Sequence, residues 1–331
     1  MHTVTQRCYA RIGLIGNPSD GYGGKTLSAI CKNFYAEVTL KKSDQLIIVP
    51  DAYQFSSVAD LQNHISSNSY YGASRLFRAT INVFAAYIAT HQPTKHLADC
   101  FTMSYQTNIP RMVGLAGSSA LIVATLKALM QFYSVEIDRK VLPSIALQVE
   151  QNELNIGGGL QDRVVQFYEG LVAMDFRQTE NINGYLCGQY EALDVDMLPP
   201  LYLAYSDVGG EPTEVFHNDL RERYNSGEAK VVDAMRELAE LTDKFLHALK
   251  NGQCEVISRL MDDNFNIRRS ISRLNPCHIK MIETARACGV SAKYAGSGGA
   301  IVGVCEDEKG FQKLKRRLGD AGCKVVRPLI A

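Results

Sequence analysis

Gly114-Leu115-Ala116-Gly117-Ser118-Ser119 is a glycine-rich turn that ends in two hydroxyls and runs directly into an apolar stretch reaching Phe132. Residues of those types in that order suit the holding of phosphate. Gly114 and Gly117 let the main chain come close to an anion, and a helix from Ser118 to about Phe132 directs its unpaired N–H groups and positive dipole end at it. Ser118 and Ser119 can cap that helix or reach a magnesium ion. Taken alone, the pattern fits a capped helix after a tight turn as well as a nucleotide site.

Three further groupings carry chemistry. The first, Arg11 to Gly24, is a strand entering a loop dense in turn formers and hydrogen-bonding side chains, with Asn17, Ser19, Asp20 and Tyr22 able to grip hydroxyls; an ordinary hairpin would look similar. The second, Gly157-Gly158-Gly159-Leu160-Gln161-Asp162-Arg163, places three glycines before a helix. A ligand can lie against that backbone, and Asp162 falls in the first helical turn, where the dipole favours its ionised form. There it can accept a hydroxyl proton, hold a cation or simply complement the dipole. The third, Lys293 to Ala300, sets Gly296, Ser297, Gly298 and Gly299 between two strands. Two glycine-rich loops from separate halves of the chain, facing each other across a cleft, would enclose a triphosphate, with Asp162 and Glu150 between them for proton and metal handling.

Composition narrows the function classes. The chain has 331 residues, 46% of them hydrophobic, enough for two packed domains. Thirty-five basic residues balance thirty-five acidic ones, which argues against nucleic acid or a charged membrane surface and favours small-molecule partners. No apolar run approaches the roughly 20 residues that span a bilayer, and residues 1–11 lack the core of a secretion signal. A soluble, cytoplasmic protein is expected. The nine cysteines are scattered singly and read as small buried hydrophobes in a reducing compartment; the seven histidines form no metal-binding cluster.

The elements that must position these residues alternate between strand and helix. Strands are expected at Arg7 to Gly16, Asn33 to Leu40, Leu46 to Val49 and Phe101 to Asn108, with a helix from Ala73 to Thr90 and a mobile loop over 51–70. Helices follow at Ser118 to Phe132, Val141 to Leu154 and Leu160 to Tyr168, then a strand, Leu171 to Phe176. The polar stretch Arg177 to Asn183 is taken as the domain boundary, giving domains 1–180 and 181–331. The second half opens with strands at Tyr185 to Ala192 and Leu201 to Tyr205. Helices at 213–224, 228–251, 254–272 and 276–288 come next, then strands at 292–294 and 300–305, a helix at 309–321 and a last strand at 323–328. Strands at both ends of a helical run indicate an α+β domain.

In this order the motifs resemble those of the GHMP kinases, the family of galactokinase, homoserine kinase and mevalonate kinase. That family begins with a strand Arg or Lys, followed five residues later by Gly and four after that by an acidic residue; Arg11, Gly16 and Asp20 have this spacing. Ile109-Pro110 followed by Gly114 to Ala120 resembles its phosphate loop, and Ala295 to Ala300 its C-terminal glycine turn. Within the family the chain is similar to the plant-type glucuronokinase branch, on Gly16-Asn17-Pro18-Ser19-Asp20, Gly114 to Ser119 with one residue more than the general phosphate loop, Gly159 to Val164, Gly170 to Phe176, and Asn264 to Arg269. The resemblance implies a two-domain α+β fold: a mixed-sheet N-terminal domain, a ferredoxin-like C-terminal domain and an active site in the cleft between them.

It also implies roles. Asp162 would take the proton of the attacking sugar hydroxyl, with Arg11 beside it holding the carboxylate ionised and neutralising charge on the transferred phosphoryl. Ser119 and Glu150 would bind Mg2+. Gly114, Leu115, Ala116, Gly117, Ser118 and Ser119 would line the phosphates of ATP, closed over by Gly296, Ser297 and Gly298. Asn17, Ser19, Asp20, Tyr22, Gly158 and Arg268 would contact the sugar. Asn17-Pro18 stands where relatives for neutral sugars carry Glu-His, and the lost carboxylate favours an anionic substrate such as glucuronate, whose own carboxylate calls for a bidentate Arg among Arg11, Arg163, Arg268 and Arg269. The alternatives are a kinase for galacturonate or a neutral hexose, a non-catalytic sugar and ATP sensor, and a decarboxylase of a diphosphorylated substrate. Either a monomer or a homodimer is compatible with the resemblance.

Overall fold

The computed structural model describes residues 2–49, 51, 53–206 and 213–330, the side chains of 213–218 excepted. β1 (Thr3–Ile15) and β2 (Lys25–Ser43) form a long antiparallel pair, joined by a loop with a 3-10 turn at Ser19–Tyr22 and a cis peptide at Asn17-Pro18. In the outer half of β2, buried Phe34, Ala36, Val38 and Leu40 alternate with more exposed neighbours, the period of a half-covered strand. Nearer the loop both faces are buried, Ile30 packing on Val164 and Val165.

β3 (Leu46–Ile48), β4 (Tyr53–Phe55), α1 (Val58–Ser67), α2 (Arg75–His91) and β5 (Cys100–Thr107) come next. They are followed by α3 (Gly117–Phe132), α4 (Leu142–Gln148), which runs into a π-helical turn at Val149–Glu153, α5 (Gln161–Tyr168), β6 (Leu171–Ile182) and β7 (Tyr185–Leu193). Their strands make a seven-stranded mixed sheet, β4-β3-β5-β2-β6-β7 with β1 also on β2, in which β3 and β5 run parallel and the other pairs antiparallel. β8 (Leu201–Ser206), α6 (Thr213–Asn225), α7 (Ala229–Lys250), α8 (Cys254–Ile271), α9 (Pro276–Arg286), β9 (Lys293–Tyr294), β10 (Ala300–Val304), α10 (Glu308–Gly319) and β11 (Cys323–Val326) complete the chain. Their antiparallel sheet has the order β11-β8-β10-β9, the strand–helix–strand–strand–helix–strand arrangement of ferredoxin-like folds with a run of helices in the first helical position.

The two-sheet α+β architecture is the expected one, with three local differences. Residues 177–183 do not separate the sheets: β6 and β7 form a hairpin of the first sheet, and the second sheet begins at β8. Its turn is Asn183-Gly184, both at positive φ, with Gly184 N–H donating to Asn181 Oδ1 at 2.9 Å, the Asn-Gly signal of a tight hairpin. Segment 51–70, expected to be a loop, holds β4 and α1, capped by Ser57 accepting from Asp60 N–H; Ala52 lies outside the described residues. The helix expected over 141–154 stops being α-helical at Val149. All nine cysteines are free thiols, and no helix among the described residues is long and apolar enough to cross a membrane.

Candidate active site

Arg11 sits near the end of β1 with 6% of its surface exposed. A buried guanidinium needs acceptors for its donors, and Arg11 finds them on three distant segments. Nε and Nη2 both lie 2.7 Å from Oδ1 of Asp162 on α5. Nη1 donates to the carbonyl of Gly114 at 3.0 Å and to that of Ala295 at 2.6 Å. Main-chain bonds reinforce the junction: Arg11 N–H donates to Leu115 O at 3.1 Å and Gly13 N–H to Ala295 O at 2.8 Å. The carboxylate, the phosphate-type loop and the glycine turn between β9 and β10 are therefore tied to one side chain.

The two glycine-rich loops touch. A Cβ on Gly296 would fall 2.0 Å from the Gly114 carbonyl oxygen, and one on Gly114 would fall 2.7 Å from Ser297 N; no side chain fits between them. At the start of α3, Ala116 is in the left-handed region at φ 62° and takes the cap position. Its carbonyl accepts from Ser119 Oγ at 3.1 Å, Gln166 Nε2 at 3.1 Å and Ala120 N–H at 3.0 Å. Ser118 is exposed, Ser119 and Leu115 are buried, and Gly117 opens the helix. The first-turn N–H groups of this 16-residue helix have no partner within the helix and face the loop, which is the arrangement that attracts an anion.

Cations lie beneath the loops. Arg268 of α8 is 2% exposed and donates from Nη1 to Gly296 O at 2.6 Å and from Nη2 to Ser297 O at 3.1 Å. Its guanidinium lies over the Tyr294 ring. Lys293, also buried, donates from Nζ to Gly13 O, Asn17 Oδ1 and Tyr294 O at 2.6–2.7 Å. Burial, with the Arg268 and Arg11 charges nearby, holds its ammonium well below the usual lysine range. The Arg11 and Arg268 guanidinium groups outnumber the one carboxylate paired with them, Asp162, which makes this floor electropositive, and a polyphosphate above it would relieve their mutual repulsion.

Facing them, Asp20 Oδ2 accepts from Gln161 N–H at 3.4 Å, and a Cβ on Gly159 would collide with that carboxylate. Burial and the Asp162 charge raise the Asp20 carboxyl to about 6. Two carboxylates thus converge at the N-terminus of α5. Glu150 has a partner of its own. It is 3% exposed in the π-helical turn and paired with Arg163 Nη2, while Arg163 Nη1 donates to Gly159 O at 2.6 Å and lies 3.9 Å from Asp162 Oδ2. Burial lowers the Arg163 guanidinium to about 10. Gly158 O accepts from Gln151 Nε2 at 2.8 Å, so this pair and these bonds lace residues 150–163 into a single support for Asp162.

Several residues expected to bind sugar, phosphate or metal make contacts within the protein. Asn17 is buried, its Oδ1 accepting from Lys293 and its carbonyl from Asn264 Nδ2 at 3.2 Å. Ser19 is fully buried and donates to Lys25 O at 3.1 Å. Arg268 holds the 296–297 carbonyls, and Glu150 is engaged by Arg163. Gly298, at φ 143°, abuts the His278 ring. Tyr22 packs against Tyr224 with ring centroids 4.7 Å apart. Three polar residues given no role by the sequence are central here: Lys293, Asn264, whose Oδ1 accepts from Gly16 N–H at 2.7 Å, and Arg221 of α6, which reaches Gly21 O. Lys293 and Asn264 lie inside stretches that the sequence singles out, but Asn264 is surrounded by Asp262, Asp263 and Asn266, so its polarity did not set it apart.

No group of three or more His, Cys, Asp or Glu side chains suited to a metal occurs among the described residues. Residues 75–170 match the family model for the GHMP kinases N terminal domain. The chain is 40% identical over 320 residues to glucuronokinase 1 of Arabidopsis thaliana, covering 94% of this chain and 87% of that one. It is also 40% identical over 318 residues to the probable glucuronokinase 2 of the same plant, covering 93% and 86%. Among solved structures, Lactococcus lactis galactokinase complexed with galactose superposes with a TM-score of 0.82 at 14% identity, covering 99% and 94%, and Methanococcus jannaschii mevalonate kinase with 0.74 at 17%, covering 99% and 99%. With Arg11 binding both glycine loops to Asp162 on this fold, the chain belongs to the GHMP kinase family, most like its glucuronokinases, and is a phosphotransferase with an alcohol acceptor.

Proposed function

We propose that the protein transfers the γ-phosphoryl of ATP to the anomeric hydroxyl of a sugar acid, glucuronate giving glucuronate 1-phosphate. The observation that carries this reading is the Arg11 junction, which sets a carboxylate beside a phosphate-type loop. Arg11 takes Oδ1 of Asp162, so Oδ2 is the oxygen that accepts the proton of the sugar hydroxyl as that oxygen bonds to the γ-phosphorus and the bond to ADP breaks. Arg11 orients Asp162 through its two contacts to Oδ1 before transfer and offsets phosphoryl charge during it. Backbone N–H groups of Gly117 to Ser119 and the electropositive floor hold the phosphates, and Asp20 accepts from a sugar hydroxyl.

Magnesium, when bound with ATP, supplies charge neutralisation across the β- and γ-phosphates. Ser119 fits it: its hydroxyl donates to Ala116 O and keeps oxygen lone pairs for a cation. Glu150 does not fit, because its carboxylate already neutralises Arg163 in a buried pair. The glucuronate reading rests on the 40% identity to the Arabidopsis glucuronokinases and on the loop Asn17-Pro18, which adds no carboxylate beside Asp20 and Asp162. Its test is a panel of glucuronate, galacturonate and neutral hexoses scored for ADP release, with the phosphorylated carbon of the product found by NMR. Phosphate on C1 of glucuronate supports it; turnover of neutral hexoses alone contradicts it.

A further inference from the structure

A carboxylate on the substrate would enter a site that already holds Asp20 and Asp162, and needs a cation to be tolerated. The arginines nearest to hand are occupied. Arg11 is divided among Asp162, Gly114 and Ala295, Arg163 between Glu150 and Gly159, and Arg268 between Gly296 and Ser297. All three are at least 94% buried, and withdrawing any of them would leave buried carbonyls or a buried carboxylate without a donor.

Arg221 differs. It is exposed on α6, above the 3-10 turn that carries Asp20. Nη2 reaches the Gly21 carbonyl at 3.4 Å, the long end of hydrogen bonding, and the guanidinium stands 5.5 Å from the centroid of the Tyr22 ring. The Tyr22–Tyr224 pair, with Tyr224 OH donating to Tyr22 O at 3.4 Å, holds that helix against the turn. The guanidinium is therefore held at the Tyr22 ring and the Gly21 carbonyl, the two residues that follow Asp20, on a side chain that stays exposed. A hexuronate carries its carboxylate on C5, across the ring oxygen from C1, so one end can meet Asp162 while the other meets a cation at the rim.

We propose that Arg221 sets the preference for an acidic sugar by receiving the substrate carboxylate in a fork of N–H donors. This rests on the reading of the site as a uronate kinase. The test compares wild type, Arg221→Met and Arg221→Lys on glucuronate and on glucuronamide, its neutral isostere, with circular dichroism melts of each protein. In Arg221→Met the KM for glucuronate rises roughly 10- to 100-fold, while kcat, the KM for ATP and the KM for glucuronamide hold, and Arg221→Lys recovers part of the loss. An unchanged glucuronate KM, or an equal rise for glucuronamide, overturns the assignment of Arg221 and leaves the kinase reading standing. A wild type that phosphorylates neutral hexoses and no uronic acid overturns the substrate reading itself.

Discussion

Arg11 and Asp162 lie 151 positions apart in sequence, yet two guanidinium nitrogens of the first converge on one carboxylate oxygen of the second at 2.7 Å. Oδ2 of Asp162 lies outside that fork, 3.9 Å from Arg163 Nη1. Arg11 spends its remaining nitrogen on the Gly114 and Ala295 carbonyls, so the residue that orients the Asp162 carboxylate also holds both glycine-rich loops.

Arg11→Lys keeps the charge and loses the fork. It is expected to lower kcat/KM by about 10²- to 10³-fold, with loss in both kcat and nucleotide affinity because the loops lose a shared donor. Arg11→Met leaves Asp162 without its counter-ion, and its melting temperature should fall further, in line with the ~3–5 kcal/mol of a broken buried pair. Steady-state kinetics and thermal melts check both; a lysine variant with wild-type kcat/KM would show that the fork is dispensable.

Gly296→Ala puts a methyl 2.0 Å from the Gly114 carbonyl oxygen. The loops must part, a displacement worth about 1–3 kcal/mol, and the affinity for ADP measured by calorimetry should fall correspondingly, by roughly 5- to 150-fold. Gly319→Ala at the end of α10, where nothing lies within 4 Å of the added Cβ, serves as the control and should bind ADP as the wild type does.

The fold was legible where the signal is local. Both glycine-rich loops, the strand that carries Arg11 and the helix that carries Asp162 follow from turn chemistry and apolar period, and the two-sheet architecture from their order. The Asn183-Gly184 hairpin was equally local and was obscured by the polar residues around it. What could not be read is how polar side chains are spent. Asn17, Ser19, Arg268 and Glu150 look like ligands in sequence because they are polar and sit in motifs, but each has a buried partner elsewhere: Asn17 meets Lys293 across 276 positions and Arg268 meets Gly296 across 28. These pairings depend on burial, which brings a polar group to a partner distant in sequence and is not visible in the local pattern.

Glu150→Gln separates the metal from the framework. The variant leaves Arg163 buried without its acid, so stability should fall by about 3–5 kcal/mol, read from urea unfolding. The magnesium concentration for half-maximal activity should stay within error of wild type. A large rise in that concentration with unaltered stability would return Glu150 to the metal.

Asp20 titrates near 6 in the folded protein, against 3.8 for an unperturbed aspartate, because burial and the Asp162 charge disfavour its carboxylate. Between those values the folded state keeps the proton that the unfolded chain has lost, so this group's contribution to stability falls as pH rises through the window and its penalty is complete above it. Asp20→Asn should therefore melt higher than wild type at pH 8 and level with it near pH 4, while the KM for the sugar rises because a charged acceptor is gone. Melting curves across pH check the first expectation and sugar saturation curves the second; a gain that does not depend on pH would contradict the cause given.

The most direct measurement concerns Asp162 itself. Asp162→Asn changes one oxygen to an amide without altering volume, and the mutant is expected to fold, to bind ADP with near wild-type affinity by calorimetry, and to lose about 10²- to 10⁴-fold in the rate of sugar-dependent ADP release. A variant that binds nucleotide and still phosphorylates the sugar at close to the wild-type rate would contradict the account.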